Sequence, residues 1–250
     1  MSYGLYISAA GAQAQRQRIE VLANNLANVD TPAFNRDLAV FQASHSEAIE
    51  QGQDYAGSRS INDIGGGAFL HETTTDFGRG ALKQTKIPTD FAILGDGFFV
   101  VDRGGQQLLT RAGNFTLDAS GGLISQDGYP VLTAEGTPVQ VTGDLPWTVN
   151  ERGMLVQAGD STPLALRKPR SLGDLVKVGQ NLYSPLAETI PLAGAERRVR
   201  SGWLEQSGVS PTTEMMELIE ASRAFEANAQ LIRSQDQMIG TLVNRVLRTS

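Results

Sequence analysis

The 250-residue chain contains no cysteine, which excludes disulfide bonds, thiolate nucleophiles and Cys-ligated metal sites. Only two histidines are present, His45 and His71, and nothing near them has the spacing of a metal site. A nucleophile elbow, a calcium loop and a phosphate-binding Gly-Lys-Ser/Thr loop are all absent. We therefore expect no enzyme activity, no cofactor and no metal.

Long hydrophobic runs are also missing. No stretch approaches the roughly 20 apolar residues of a membrane span, so we expect no membrane insertion. The N-terminus lacks a basic leader followed by an apolar run and a cleavage site. The sequence predicts a soluble chain that is either cytoplasmic or exported without a cleaved leader. A net charge of −6 without any long basic stretch argues against nucleic-acid binding.

The last stretch of the chain has the strongest periodicity. From Glu214 to about Leu247, apolar residues recur every seven positions, which is a helical pattern. Hydroxyl residues and Pro211 precede it and provide a helix start signal. A helix of this length would be about 50 Å long and needs a packing partner, because isolated helices are marginal in water.

Residues 3–29 provide that partner, with a second seven-residue stripe that is rich in alanine. Pro32 disfavours helical geometry at Thr31, so this helix should end near Val29 or Asp30. The fold class predicted is α+β: paired N- and C-terminal helices form a coiled-coil-like stalk, and a mainly antiparallel, all-β domain lies between them. Two helix faces packed on one ordinary globular core remain the alternative.

The region between the helices is rich in glycine and in short apolar runs separated by turns, which predicts β structure. Asp96, Asp102, Asp118 and Asp127 lie near these turns, where aspartate serves turn geometry more often than acid–base chemistry. The predicted boundaries are residues 1–35 for the first helix, 36–75 for an extended connector with at most one weak strand, 76–200 for the β domain and 201–250 for the second helix.

A small basic cluster, Arg167-Lys168-Pro169-Arg170, interrupts the predicted strands. A solvated sheet edge that discourages strand addition is one interpretation. A contact between subunits is the other.

Three blocks of sequence resemble the bacterial flagellar rod and hook protein family: the N-terminal block Ala23 to Phe34 (ANNLANVDTPAF), a central block made of Thr85 to Val101 and Leu109 to Leu132, and the C-terminal block Val199 to Ile232. Family members often have glycine where this chain has Ala33, which puts the turn in question because alanine tolerates positive φ poorly. The length and the Glu220 to Asn228 string resemble most the proximal-rod member of the family, and the distal-rod member is the alternative.

The resemblance implies a structural subunit of the flagellar basal-body rod, exported without a cleaved leader and located in the periplasm. Implied partners are further copies of the chain, neighbouring rod proteins, proteins on the hook side and the flagellar export apparatus. An open helical stack through the terminal helices would transmit torque. The predicted interface residues are Leu5, Ile19, Leu22, Asn24, Asn25, Leu26, Asn28, Leu218, Phe225, Ile232, Ile239, Leu242 and Val246. A surface-binding β module on an oligomerising helical stalk, which would form a closed oligomer, remains the alternative.

Overall fold

The computed structural model describes residues 3–45, 49, 51–55, 57–58, 60, 65–142 and 145–247. It divides into two compact units. The helical unit comprises Met1–Ala27, Asp37–Asp76 and Ser210–Ser250, and the β unit comprises Asn28–Arg36 and Phe77–Val209. The predicted α+β fold class is confirmed.

The helical unit contains an antiparallel pair formed by α1 (Tyr3–Ala27) and α2 (Pro211–Leu247). Helix α2 has 37 residues, and its first backbone bond runs from the Glu214 N–H to the Ser210 carbonyl oxygen at 3.0 Å. Pro211 suits the first helical position because its missing N–H would have no partner there. Helix α1 ends shortly before the predicted boundary, where the Thr31 N–H turns back to the Asn28 carbonyl oxygen.

A two-stranded antiparallel ribbon, β1 (Asp37–Ser44) and β2 (Gly67–Thr75), completes the helical unit. The structure places this ribbon in the range where the sequence predicts an extended connector. A long connection separates the two strands, so the short-turn signal of a hairpin is absent from the sequence. Burial alternates at the start of β1, and the exposed positions Leu38 and Val40 face away from the half-buried ones.

The β unit is built from short strands, and every strand pairing described in it is antiparallel. A six-stranded sheet has the order β13-β14-β6-β5-β12-β15, and smaller sheets flank it. The strands are β3 (Leu82–Gln84), β4 (Phe91–Ile93), β5 (Phe98–Arg103), β6 (Gln106–Thr110), β7 (Thr116–Leu117), β8 (Leu123–Ile124), β9 (Trp147–Val149), β10 (Met154–Gln157), β11 (Asp160–Pro163), β12 (Leu166–Lys168), β13 (Leu175–Gly179), β14 (Leu182–Pro185), β15 (Ile190–Pro191), β16 (Val199–Ser201) and β17 (Trp203–Glu205).

The core of the β unit lies on both faces of β5. Phe99 and Val101 join the larger buried cluster, and Phe98 and Val100 join a second cluster on the opposite face. This explains the continuous apolar run Phe98 to Val101, because a strand covered on both faces needs no polar alternation. Phe99 packs edge-on against Phe115 with ring centroids 5.2 Å apart, a favourable aromatic geometry.

A buried ion pair crosses the β unit. Arg111 Nε donates to Glu205 Oε2 at 2.9 Å, and Arg111 also donates to the backbone carbonyl oxygens of Ile93 and Gly97. Glu205 Oε1 accepts the Gly80 N–H at 3.2 Å. Both side chains are almost fully buried, and these hydrogen bonds compensate for the loss of water around the charges.

The turn at Ala33 shows how the departure from the family pattern is accommodated. Ala33 adopts a φ of +53° and is buried, and its N–H donates to the Glu205 carbonyl oxygen at 2.9 Å. The next residue, Phe34, accepts the Gly208 N–H at 2.9 Å. The turn therefore needs the left-handed conformation that glycine adopts without strain, and alanine occupies it under strain.

Candidate assembly surface

Small and polar residues line the closest approach between α1 and α2. The Cβ position of Gly4 would lie 3.0 Å from Gln235 Nε2, and that of Gly11 would lie 3.1 Å from Asn228 Oδ1. At Gly11 an added methyl group would have to displace Asn228. Glycine at these positions thus permits close contact between the helices.

At the other end of the helix pair, Asn25 connects three elements. Its Nδ2 donates to the Asp37 carbonyl oxygen at 2.9 Å and to Glu214 Oε2 at 3.2 Å, and its Oδ1 accepts the Asp37 N–H at 2.8 Å. Asn25 and Glu214 are both fully buried. A buried polar contact of this kind is satisfied in one helix register, so it fixes the alignment of α1, α2 and β1.

An ion pair between Arg18 and Glu217 lies between these two ends, with an Nη2 to Oε2 distance of 3.3 Å. Each side chain is about a third exposed, so water and salt screen the attraction and its contribution to stability is small. It supports the same register as Asn25.

The predicted interface residues fall into four groups. Leu22 and Asn25 are buried in the helical unit. The half-buried group contains Leu5, Ile19, Leu26, Asn28, Leu218 and Ile232. The exposed group contains Asn24, Phe225, Ile239 and Leu242. Val246 lies within α2, but its side chain is outside the described residues.

The prediction from the sequence did not identify most of the α2 residues that face α1. These residues are Glu214, Ala221, Asn228 and Gln235. They are seven residues apart, and each lies four positions before one of the predicted residues Leu218, Phe225, Ile232 and Ile239. Four residues correspond to a rotation of about 40° around the helix. The signal that could have revealed these residues is the matching spacing of Gly4, Gly11, Arg18 and Asn25 on α1.

A large part of the apolar surface of α2 is exposed. Exposed fractions are 65% for Met216, 53% for Leu231 and 63% for Leu242. Ile219, Met238 and Val243 are exposed as well, so this face extends along most of the helix. So many exposed large apolar side chains on one helix are typical of an interaction site.

Two of the four aspartates noted in the sequence, Asp102 and Asp118, stabilise turns of the β unit. Asp118 Oδ1 accepts the backbone N–H groups of Ser120 and Gly122, and Asp102 Oδ1 accepts that of Gly105. The hydroxyl of Ser120 and the N–H of Gly122 lower the pKa of Asp118. Within the described part of the chain, no three acidic or histidine side chains converge as metal ligands. No described helix is long and apolar enough to cross a membrane.

Three family profiles match the chain, in order. "Flagella basal body rod protein" matches residues 5–34, "Flagellar hook protein FlgE/F/G D1 domain" matches 92–158, and "Flagellar basal body rod FlgEFG protein C-terminal" matches 200–245. The outer two profiles fall mainly on α1 and α2, and the middle one falls on the β unit.

Individual relatives are similar along their whole length. The chain is 30% identical over 261 residues to the flagellar basal-body rod protein FlgG of Bacillus subtilis, covering 98% of this chain and 99% of FlgG. It is 30% identical over 251 residues to FlgF of Caulobacter vibrioides, covering 98% of both chains. To FlgF of Rhizobium meliloti it is 32% identical over 249 residues, covering 97% of this chain and 98% of FlgF.

Proposed function

Because this chain belongs to the flagellar basal-body rod protein family and is a structural subunit of that rod, we propose that it joins the rod through the exposed apolar face of α2. Neighbouring axial subunits cover this face. The torque of the motor then passes through packed helices to the hook. The relatives are structural rod proteins, and this role requires no catalysis.

The observation that carries the proposal is the exposure of Met216, Leu231 and Leu242 on one helix. Each large apolar side chain that moves from water into a packed contact contributes about 1.5–3 kcal/mol. A repeated set of such contacts along a helix of 37 residues is sufficient to hold a subunit in a stack. Such a contact joins different surfaces of successive subunits, and when the rotation between subunits does not close, it generates an open rod and not a ring.

The position within the rod is the second part of the proposal. The alignments with the two FlgF relatives run over 251 and 249 residues, close to the 250 residues of this chain. The alignment with FlgG runs over 261 residues, so FlgG has residues that this chain lacks. We infer a FlgF-type position in the proximal rod, with the distal rod as the alternative, after export to the periplasm by the flagellar export apparatus without a cleaved leader.

Substitution on the exposed face tests the assembly surface. In cells whose only copy carries Leu231→Asp, we expect no detectable chain in purified hook–basal bodies, because a charge cannot be buried in an apolar contact. Arg233→Asp is the matched control, since Arg233 is also exposed on α2 but, two residues after Leu231, lies on the opposite side of the helix. Quantitative mass spectrometry of basal bodies and of whole cells separates failure to assemble from failure to accumulate. Normal incorporation of Leu231→Asp would contradict the proposed surface.

A strain that lacks FlgG tests the position. A proximal subunit is incorporated before the distal rod, so the chain should remain in basal bodies from that strain. If the chain disappears together with FlgG, the distal assignment is correct.

The N-terminal peptide from the same sample tests export without a cleaved leader, because an uncleaved chain retains the residues that begin at Met1 or Ser2.

A further inference from the structure

A cationic cleft opens on the β unit. Its volume is about 260 Å³, and its lining includes the apolar side chains of Phe77, Phe98 and Leu172. Arg170, from the basic cluster of the sequence, is also in this lining and is exposed. The cleft therefore combines an apolar floor with positive charge.

Most of the charges around the cleft are already paired. Arg79 pairs with Asp96, and Lys168 Nζ lies 2.9 Å from Glu196 Oε2. Arg111 is held by its buried partner Glu205. Among the described residues Arg170 forms no ion pair, so the cleft has one surplus positive charge at its solvent-exposed side.

The far end of the same sheet presents an acid. Glu135 is exposed in a tight turn closed by a hydrogen bond from the Thr133 N–H to the Thr137 carbonyl oxygen at 2.7 Å. The Cβ position of Gly136 lies 3.8 Å from Gln107 Nε2, which places the turn near the start of β6. Arg111, in the cleft lining, follows the end of β6, about 13 Å further along at the rise of a β-strand.

We propose that the cleft receives the Glu135 turn of a second copy of this chain, with the Glu135 carboxylate on Arg170. The chain has 27 acidic and 21 basic residues, so copies repel each other unless a basic surface of one meets an acidic surface of the next. The two surfaces are different and lie apart along one sheet, so the contact is heterologous and can repeat from copy to copy along a rod. This contact rests on the proposed rod function and adds a contact between β units to the helix packing.

A charge swap tests the contact in full-length chains expressed in cells that lack the wild-type copy. Arg170→Glu and Glu135→Arg should each lower the amount of chain in purified basal bodies by roughly fivefold, because like charges then meet. The Arg170→Glu/Glu135→Arg double variant should restore incorporation. Arg170→Gln should have a smaller effect than Arg170→Glu, and Arg152→Glu, an exposed arginine outside the cleft lining, should have little.

The absence of cysteine permits a second readout. A chain with Arg170→Cys and Glu135→Cys should form disulfide-linked ladders of this chain in isolated basal bodies under oxidation, and each single variant should not. If incorporation is unchanged in both single charge variants, or if the double variant is no better than the singles, the contact is wrong. If the wild-type chain itself is absent from basal bodies, the rod function fails as well, which distinguishes the two failures.

Discussion

The β unit and the helical unit both contain many apolar residues, but they bury different ones. In the β unit, phenylalanines such as Phe99 and Phe115 are fully enclosed by the chain's own side chains. In the helical unit, the described residues with no exposed surface include Asn25, Glu214 and Ala221, whereas large apolar side chains of α2 face solvent. The β unit therefore has its own core, and the helix pair leaves exposed much of the apolar surface that we propose for contact with other subunits.

Replacing a phenylalanine by alanine in each unit should give the largest difference in the free energy of unfolding. Phe99→Ala should lower the free energy of unfolding by about 3–5 kcal/mol, because Phe99 is completely buried and its loss leaves a cavity. Phe225→Ala should cost less, about 1–2 kcal/mol, since 36% of Phe225 is exposed and its removal leaves no closed cavity. Urea unfolding of the purified chains measures both. Equal losses would contradict the division into a self-sufficient core and an open helix face.

The two ion pairs provide the next comparison. Glu205→Gln should lower the free energy of unfolding by about 3 kcal/mol, because Arg111 is left as a buried charge without its partner. Glu217→Gln removes the partner of Arg18 at a partly exposed site and should cost at most about 1 kcal/mol. Thermal unfolding in low and high salt checks this prediction, and only the Glu217 effect should shrink as salt rises.

Two adjacent asparagines of α1 differ in burial, since Asn25 is buried and Asn24 is exposed. Asn25→Ala should destabilise the helical unit by about 2 kcal/mol, because Asp37 and Glu214 lose a buried hydrogen-bonding partner. Asn24→Ala should change stability by less than about 0.5 kcal/mol, as Asn24 is exposed. Hydrogen exchange should locate the Asn25 effect in α1, α2 and β1. Faster exchange in the β5 core instead would show that the two units do not respond separately.

The smallest expected effect is a gain in stability. Ala33→Gly should raise the free energy of unfolding by about 0.5 kcal/mol, because relief of the left-handed strain outweighs the extra freedom of glycine in the unfolded chain. Differential scanning calorimetry measures the change in Tm. A lower Tm for the glycine variant would show that the alanine methyl group contributes more by packing than its conformation costs.

Several features were predictable because they depend on local sequence. The seven-residue stripes and Pro211 predict α1 and α2, and the short runs between Asp-Gly turns predict an antiparallel β region. The blocks from Ala23, Thr85 and Val199 carry the family resemblance, and the family follows from them. The helical stretches predicted over residues 3–29 and from Glu214 to about Leu247 correspond to α1 (Tyr3–Ala27) and α2 (Pro211–Leu247).

Other features depend on contacts between distant residues. Both Leu218 and Ala221 belong to seven-residue series on α2, and periodicity alone does not tell which series faces α1. Gly11 and Asn25 determine which series faces α1, and their partners lie about 200 residues further along the chain. The burial of Arg111 against Glu205 and the pairing of β1 with β2 have the same origin.

The sequence by itself determined the type and order of the elements, because helix and strand periods are properties of a single segment. Tertiary structure decided which face of each element is covered, because burial requires a second surface of matching shape and charge. For this chain the deciding pairs are Asn25 with Glu214 and Arg111 with Glu205. The face of α2 with Leu231 and Leu242 stays exposed because no other part of the described chain covers it.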